Sequence, residues 1–334
     1  MLTILCAVLL LGGLQMGACA DFDGHALPVP LSHRVAVGDS YMGIRLLGSL
    51  RLAKQPVSGL TLQGLSGLAW DEDVGLLYAL SDDGNLFHIR PLFSAGSLTD
   101  AQVVAGYPLQ DSKGRPLQRP LADAEGMAID LGSNGVPGDS QLIISFEGRP
   151  RIARYTPTGK WLRDEPLPPP LNDRNRYADS NKALEAVTVD KRWGLLTAPE
   201  WPLRDGPNGY VPIVAANRSW LYPLYNAPNS SLVAMEALPD GSLLTLERAF
   251  VSLLRPLVIT LRLSHLPTST REPLVVKDVA VFDNSQGWLL DNFEGLTRHR
   301  GQRFFMISDD NRSVLQSSLL VYFELLGSAG GFSE

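Results

Sequence analysis

Acidic side chains return through this chain at positions set by a repeated pattern. Glu125, Glu185, Glu236 and Glu294 each stand near the start of a short apolar run, with Ser66 in the matching place of an earlier copy. A second acid closes the run that follows: Asp82 with Asp83, Glu147, Glu200, Glu247, and Asp309 with Asp310. Carboxylates brought close together raise one another's pKa values, so such a cluster needs protons, cations or arginines to neutralise it. Hard oxygen donors without thiol or imidazole companions suit calcium or magnesium, and calcium is favoured because it accepts about six to eight irregularly placed oxygens. The metal-ligand candidates are therefore Glu125, Glu185, Glu236, Glu294, Asp82, Glu147, Glu200, Glu247 and Asp309. A competing structural reading has each Glu tie neighbouring repeats together through backbone amides or through Arg149, Arg151, Arg248, Arg298 or Arg312.

These acids become neighbours only if the repeats stack around an axis. Gly64 to Asp71 followed by a turn at Glu72 to Gly75 and then Leu76 to Asp83 reads as strand, turn, strand, and the same grammar returns from Ala124, from Leu184, from Met235 and from Phe293. The copies are spaced by roughly 50 to 60 residues, the length of a four-stranded blade with a generous loop. The fold class expected is all-β, a single β-propeller over residues 21–334. Six blades are favoured, with five or seven as alternatives, and Ser40 to Leu52 or Val275 to Phe282 would supply the sixth or its closing strands. In a propeller the innermost strand leaves one face and the next returns to it, so the opening and closing acids should share one mouth of the channel. Two long connections, Lys160 to Lys182 and Trp201 to Ser219, are read as excursions on a rim, either inert or lid-like.

Composition agrees with an ordinary globular chain of 334 residues, 45% hydrophobic and 19% charged. A formal net charge of -6 disfavours a polyphosphate backbone, so nucleic acid is not expected as a partner. Both cysteines, Cys6 and Cys19, fall within residues 1–20, which leaves the body without a disulfide or thiolate metal site. The uncharged apolar run Leu2 to Met16, followed by Gly17, Ala18, Cys19 and Ala20, reads as a signal peptide or lipoprotein signal. The expectation is an exported, periplasmic or extracellular monomer, touching a membrane only through a lipid anchor on Cys19. Cleavage after Ala20 and cleavage before Cys19 both satisfy the pattern.

Nucleophilic and zinc chemistry find little support. Gly64-Leu65-Ser66-Gly67 is not a Gly-x-Ser-x-Gly elbow, and it opens a strand instead of joining strand to helix. The chain has five histidines, none within a repeated motif, which leaves a Ser66–His299 triad as a weak candidate and zinc without ligands. Trp201 and Trp220 flank a loop and could stack on a sugar, although tryptophans of this kind more often pack.

Gly-Leu-Ser-Gly-Leu-Ala at 64–69, Asp-Ala-Glu-Gly-Met-Ala at 123–128, Ser-Phe-Glu-Gly-Arg-Pro-Arg-Ile at 145–152, Ala-Leu-Glu-Ala-Val at 183–187 and Asn-Phe-Glu-Gly-Leu-Thr at 292–297, with Ile-Ser-Asp-Asp-Asn at 307–311, form an ordered set. Together they resemble the exported bacterial "esterase-like activity of phytase" family over about residues 60 to 325. The resemblance implies a phytase-like propeller hydrolysing a phosphoester or related ester with a divalent cation. Such a cation polarises a phosphoryl oxygen and acidifies a bound water. Glu125, Glu294 and Asp309 are then the catalytic candidates, and Arg149, Arg151 and Arg312 could clamp phosphate oxygens as the substrate-binding set. Two rivals stay open: a non-catalytic propeller binding a small ligand or partner protein at the same mouth, and a lactonase-type hydrolase with one central calcium.

Overall fold

A computed structural model describes residues 26–327, apart from 180, 253, 270–273 and 314. Residues 1–20, read above as a signal segment, lie with both cysteines outside the described residues, and no helix among those described is long and apolar enough to cross a membrane. Strands make up the fold, with only two short 3-10 turns, Arg174–Arg176 and Asn284–Gln286, among the described residues.

Five antiparallel sheets surround an axis, and in the first four the chain runs from the innermost strand outward. Blade one is Leu65–Asp71, Leu76–Ser81, Asn85–Ser94 and Ser97–Pro108. Blade two is Ala124–Asp130, Gln141–Phe146, Arg151–Tyr155 and Trp161–Glu165. Blade three is Leu184–Asp190, Gly194–Pro199, Tyr210–Ala215 and Arg218–Pro223, and blade four is Ser230–Ala237, Ser242–Ala249, Val258–His265 and Val275–Asp283. Blade five takes Asn292–Arg298, Arg303–Asp309 and Leu319–Leu325 from the end of the chain, then adds Ile44–Leu52 and Ala26–Pro28 from its beginning. The register of that closure runs from Leu319 opposite Arg51 to Leu325 opposite Ile44.

The favoured count of six blades is thus corrected to five. Ser40 to Leu52 and Val275 to Phe282 were the two segments that allowed a sixth. Each is instead an outer strand, of blade five and blade four respectively, because each has a ready-made sheet edge to pair with. The Trp201 to Ser219 excursion is also shorter than its sequence implied, since Tyr210–Ala215 is already the third strand of blade three.

A two-sided blade must bury both faces, and it does so against its neighbours. Five apolar clusters result, one at each seam. At the seam of blades two and three, Ile143 and Ile152 meet Leu184, Val187 and Val214, and the long connections add Leu171, Tyr177 and Leu203. Those connections are therefore anchored into the core and not draped over it.

Candidate functional site

Each innermost strand carries one β-bulge at its entry. The pairing slips by a residue between Leu65 and Gly67, Ala124 and Met127, Leu184 and Ala186, Leu232 and Ala234, and Phe293 and Gly295. A bulge re-aims the extra side chain, and the five residues it aims are Ser66, Glu125, Glu185, Val233 and Glu294. The glycine in Glu-Gly follows from the crowding that results. A Cβ on Gly126 would lie 2.1 Å from the Glu185 carbonyl oxygen and 2.7 Å from Ser145 Oγ. Ser145 Oγ ties the two blades, donating to that carbonyl at 2.6 Å while accepting from Gly126 N at 3.0 Å. Two residues further along, Leu68, Met127, Val187, Met235 and Leu296 converge around an axial void of only about 10 Å³. The mouth is therefore a cup floored by apolar side chains, not an open pore.

Register also fixes the second set of acids. Leu65 faces Ser81, Ala124 faces Phe146, Leu184 faces Pro199, Leu232 faces Glu247 and Phe293 faces Ser308. The next residue in each second strand reaches the mouth, giving Asp82, Glu147, Glu200, Arg248 and Asp309. Blade four departs from expectation at both positions. Val233 occupies the bulge, and Glu236 lies three residues on, roughly 10 Å along the strand, opposite Leu244 and beside Arg298. Burial there pushes Glu236 up to about 8. Glu247 sits one residue short of the mouth, so it faces the other side of its strand. It is held there by Tyr222 Oη at 2.6 Å, the Tyr225 amide at 2.6 Å and Arg262 at 2.9 Å. Glu236 and Glu247 are thus not part of the acidic mouth, while Arg248 contributes a cation to it.

Cations bridge most of the seams. Arg312 joins blade five to Asp82 at 2.6 Å and Asp83 at 2.8 Å, and Arg119 spans Asp82 at 3.0 Å and Asp123 at 2.6 Å. Arg248 reaches Glu200 at 2.9 Å and Glu294 at 3.2 Å. Between blades two and three no such bridge exists among the described residues: Lys182 pairs with Glu200 at 2.8 Å, and its charge only offsets Glu147 from a distance.

That seam holds two overlapping sets of carboxylates. Oxygens of Asp123, Glu125 and Glu147 lie within 4.8 Å of one another, and so do those of Glu147, Glu185 and Glu200. Glu147 accepts from the Ala183 amide at 2.9 Å. The Glu125 and Glu185 carboxylates accept no hydrogen bond from any described residue, although Glu185 is only 4% exposed. Burial, and then the surrounding carboxylates, hold both well above the usual carboxylate range. Burial also pushes Glu147 to about 7 against the Ala183 amide, and Asp309 to about 6 against the Asn311 amide. Glu294 is pushed to about 8 by burial, with Arg248 opposing. Carboxylates crowded at a partly buried mouth without ion pairs or hydrogen bonds favour the uptake of protons or a cation. The donor set, all hard oxygens at one seam, fits a divalent ion.

The other expected site residues fall as follows. Glu125, Glu294 and Asp309 share the mouth with the two carboxylate sets, and the charges of Glu125 and Glu294 act on one another. Arg151 stacks over the Phe146 ring at 3.6 Å and donates to the Leu121 carbonyl, while Arg312 is spent on Asp82 and Asp83. Arg149 is exposed beside the mouth. Ser66 Oγ donates to the Ala124 carbonyl at 2.9 Å, and His299 lies past the far end of its inner strand, bonded to Tyr322 Oη at 2.7 Å, so no triad forms. Trp220 packs against Trp193, whereas Trp201 lies under Lys182. Asp123 and Lys182 escaped the sequence reading as site residues, and Arg119, which with Lys113 and Arg115 reads from the sequence as a solvated basic patch, is instead paired with Asp82 and Asp123 at the mouth. Asp123 had a signal, since it precedes Glu125 by two, the spacing that puts alternate strand residues on one side.

The Arg248 bridge yields a first expected result. Arg248→Met lowers stability to urea by about 3 kcal/mol near pH 8, because two buried acids lose their shared counter-ion. Losing the arginine raises the folded-state pKa of Glu294 further, and a raised acid contributes stability below its unfolded pKa and loses it as pH climbs. The deficit therefore shrinks toward pH 5. An equal deficit at both pH values would contradict this electrostatic account.

Comparison with known proteins adds the following. A family model described as Phytase-like, esterase-like activity of phytase, matches residues 60–312. No curated protein matches. Among solved structures, a gluconolactonase from Xanthomonas campestris is similar at 14% identity and a TM-score of 0.38, covering 89% of this chain and 100% of that one. An endo-arabinase from Bacteroides thetaiotaomicron is similar at 15% identity and a TM-score of 0.42, covering 81% and 96%. The Cps50 (Swd1) β-propeller domain from Myceliophteria thermophila is similar at 11% identity and a TM-score of 0.39, covering 90% and 97%.

Proposed function

The chain belongs to the phytase-like family, esterase-like activity of phytase, and from that premise we propose an exported hydrolase of a phosphoester or related ester, assisted by a divalent cation at the seam of blades two and three. One observation carries the proposal: the half-buried Glu125 and the buried Glu185 share an acidic cup and accept no hydrogen bond from any described residue. Asp123, Glu125, Glu147, Glu185 and Glu200 would hold the ion, and calcium suits so many irregular oxygens. Bound there, a cation supplies Lewis acidity toward an ester oxygen and acidifies a water.

The chain's own residues divide the remaining work. Glu294, pushed to about 8, holds a proton at neutral pH and can give it to a leaving oxygen. Asp309, pushed to about 6, is largely ionised there and can receive one. The apolar floor of Leu68, Met127, Val187, Met235 and Leu296 keeps bulk water from entering along the axis. A ligand-binding propeller without turnover is the second reading, favoured by Arg248, whose guanidinium already lies against Glu294 and Glu200 on one side of the cup.

Turnover separates the two. Purified protein should hydrolyse at least one of a phosphomonoester, phosphodiester or carboxylester panel, lose that activity in chelator, and lose about a hundredfold or more in kcat/KM as Glu125→Gln. Absence of turnover on the whole panel in calcium would select the binder.

A further inference from the structure

At the rim of the cup, where blade three passes into blade four, lies a recess of about 360 Å³, within the range of about 300 to 1,000 Å³ that small-molecule sites occupy. Trp201, directly after Glu200, lines it together with Leu224, Tyr225, Asn226 and Asn229 from the connection into blade four. Both segments are tied to the acidic site by their backbones. The Glu200 amide donates to the Ala183 carbonyl at 2.9 Å, its carbonyl accepts from the Leu232 amide at 3.1 Å, and Glu247 accepts from the Tyr225 amide at 2.6 Å. The Leu224 amide donates to the Gly209 carbonyl at 2.9 Å, and the Ala227 amide to the Tyr225 carbonyl at 2.7 Å. The shape of the recess is therefore set before a ligand arrives.

Its lining carries no charged side chain among the described residues, although carboxylates and arginines crowd the cup beside it. Trp201 and Tyr225 are half-buried and offer apolar ring surface, and the Lys182 ammonium that pairs with Glu200 stands 5.7 Å over the Trp201 ring. Trp201 Nε1, Tyr225 Oη and the Asn226 carboxamide bond to no described residue. A charged ligand would lose water here and meet no counter-charge in the lining. A wholly apolar one, such as an aryl group, would strip water from the indole, phenol and amide groups and leave them unpaired. A neutral ring with C–H bonds on its faces and hydroxyls at its edge meets both conditions: its faces lie on the aromatic rings while its hydroxyls exchange hydrogen bonds with those polar groups.

We propose that this recess binds an uncharged sugar ring. Because Trp201 adjoins Glu200, the substrate class of the hydrolase is then a sugar ester, with the sugar seated between blades three and four while its ester reaches the carboxylates. The substrate class rests on the hydrolase reading, whereas the sugar site itself needs neither turnover nor the cation.

Saturation-transfer NMR and calorimetric titration in chelator test the site, with methyl glucoside, methyl galactoside and methyl xyloside as probes and benzyl alcohol as the apolar contrast. At least one glycoside should bind the wild-type chain, and more tightly than benzyl alcohol. Trp201→Ala should weaken that binding by about tenfold or more. Tyr225→Phe and Asn226→Ala each remove one polar group from a half-buried or exposed position without disturbing the fold, and each should weaken it by about threefold or more. Because binding is read in chelator, a failure of the hydrolase reading leaves this result intact, and a failure here leaves that reading standing. Binding of no glycoside, tighter binding of benzyl alcohol, or wild-type affinity in Trp201→Ala or in both milder variants would overturn the proposal.

Discussion

Calcium at about a hundred times its dissociation constant raises the melting midpoint of the wild-type chain by roughly 5 to 10 °C, and that of Glu185→Gln not at all. Glu185 is the reporter because its carboxylate is buried, accepts no hydrogen bond from a described residue, and stands within 4.8 Å of oxygens on Glu147 and Glu200. Without a cation, burial and the neighbouring carboxylates disfavour its charged form, and glutamine removes that charge. The calcium-free variant should accordingly match or exceed the calcium-free wild type near pH 8. The pH trend follows from Glu147, raised from 4.5 to about 7 on folding. A group raised in this way contributes stability at low pH and loses it as pH rises through the folded-state value. Calcium-free protein therefore melts lower at pH 8 than at pH 5, and calcium flattens the slope. A wild-type midpoint indifferent to calcium would remove the ion from the site.

Gly126→Ala is expected to cost at least about 3 kcal/mol, measured by urea unfolding, and to remove the calcium response even in protein that still folds. The new methyl has nowhere to go: the Glu185 carbonyl would be 2.1 Å away and Ser145 Oγ 2.7 Å away. Relief requires blades two and three to move apart, which breaks the Ser145 tie and separates Glu125 and Glu147 from Glu185. Gly194→Ala makes the contrast, since no atom lies within 4 Å of its added Cβ and only its left-handed backbone, φ 72°, resists the change. If Gly126→Ala were no worse than Gly194→Ala, the packing argument for the Glu-Gly pair would fail.

Much of this was legible in the sequence because the repeat writes the same physics several times. Ser66, Glu125, Glu185 and Glu294 were aligned correctly, and so were Asp82, Glu147, Glu200 and Asp309, since each sits at a fixed distance from a hairpin turn. Blade four misled because Met235-Glu236-Ala237 imitates Leu184-Glu185-Ala186, whereas counting back from its turn at Pro239-Asp240-Gly241 leads to Val233. The same count places Arg248, not Glu247, at the mouth. The blade total was misread for a different reason: sequence periodicity shows inner strands clearly, but an outer strand such as Ile44–Leu52 finds its partner across nearly the whole chain.

That long-range partnership governs how the molecule can be made. Phe304, Val321 and Phe323 bury themselves against Ile44 and Leu46, so the ring has no stable shut form until both ends are present in one sheet. During synthesis the first blades wait with an unpaired edge, and a product stopped before Leu319 keeps it. A cut within Leu319–Leu325 should thus unfasten the whole circle instead of trimming one leaf, and the acidic cup at its centre would spread with it.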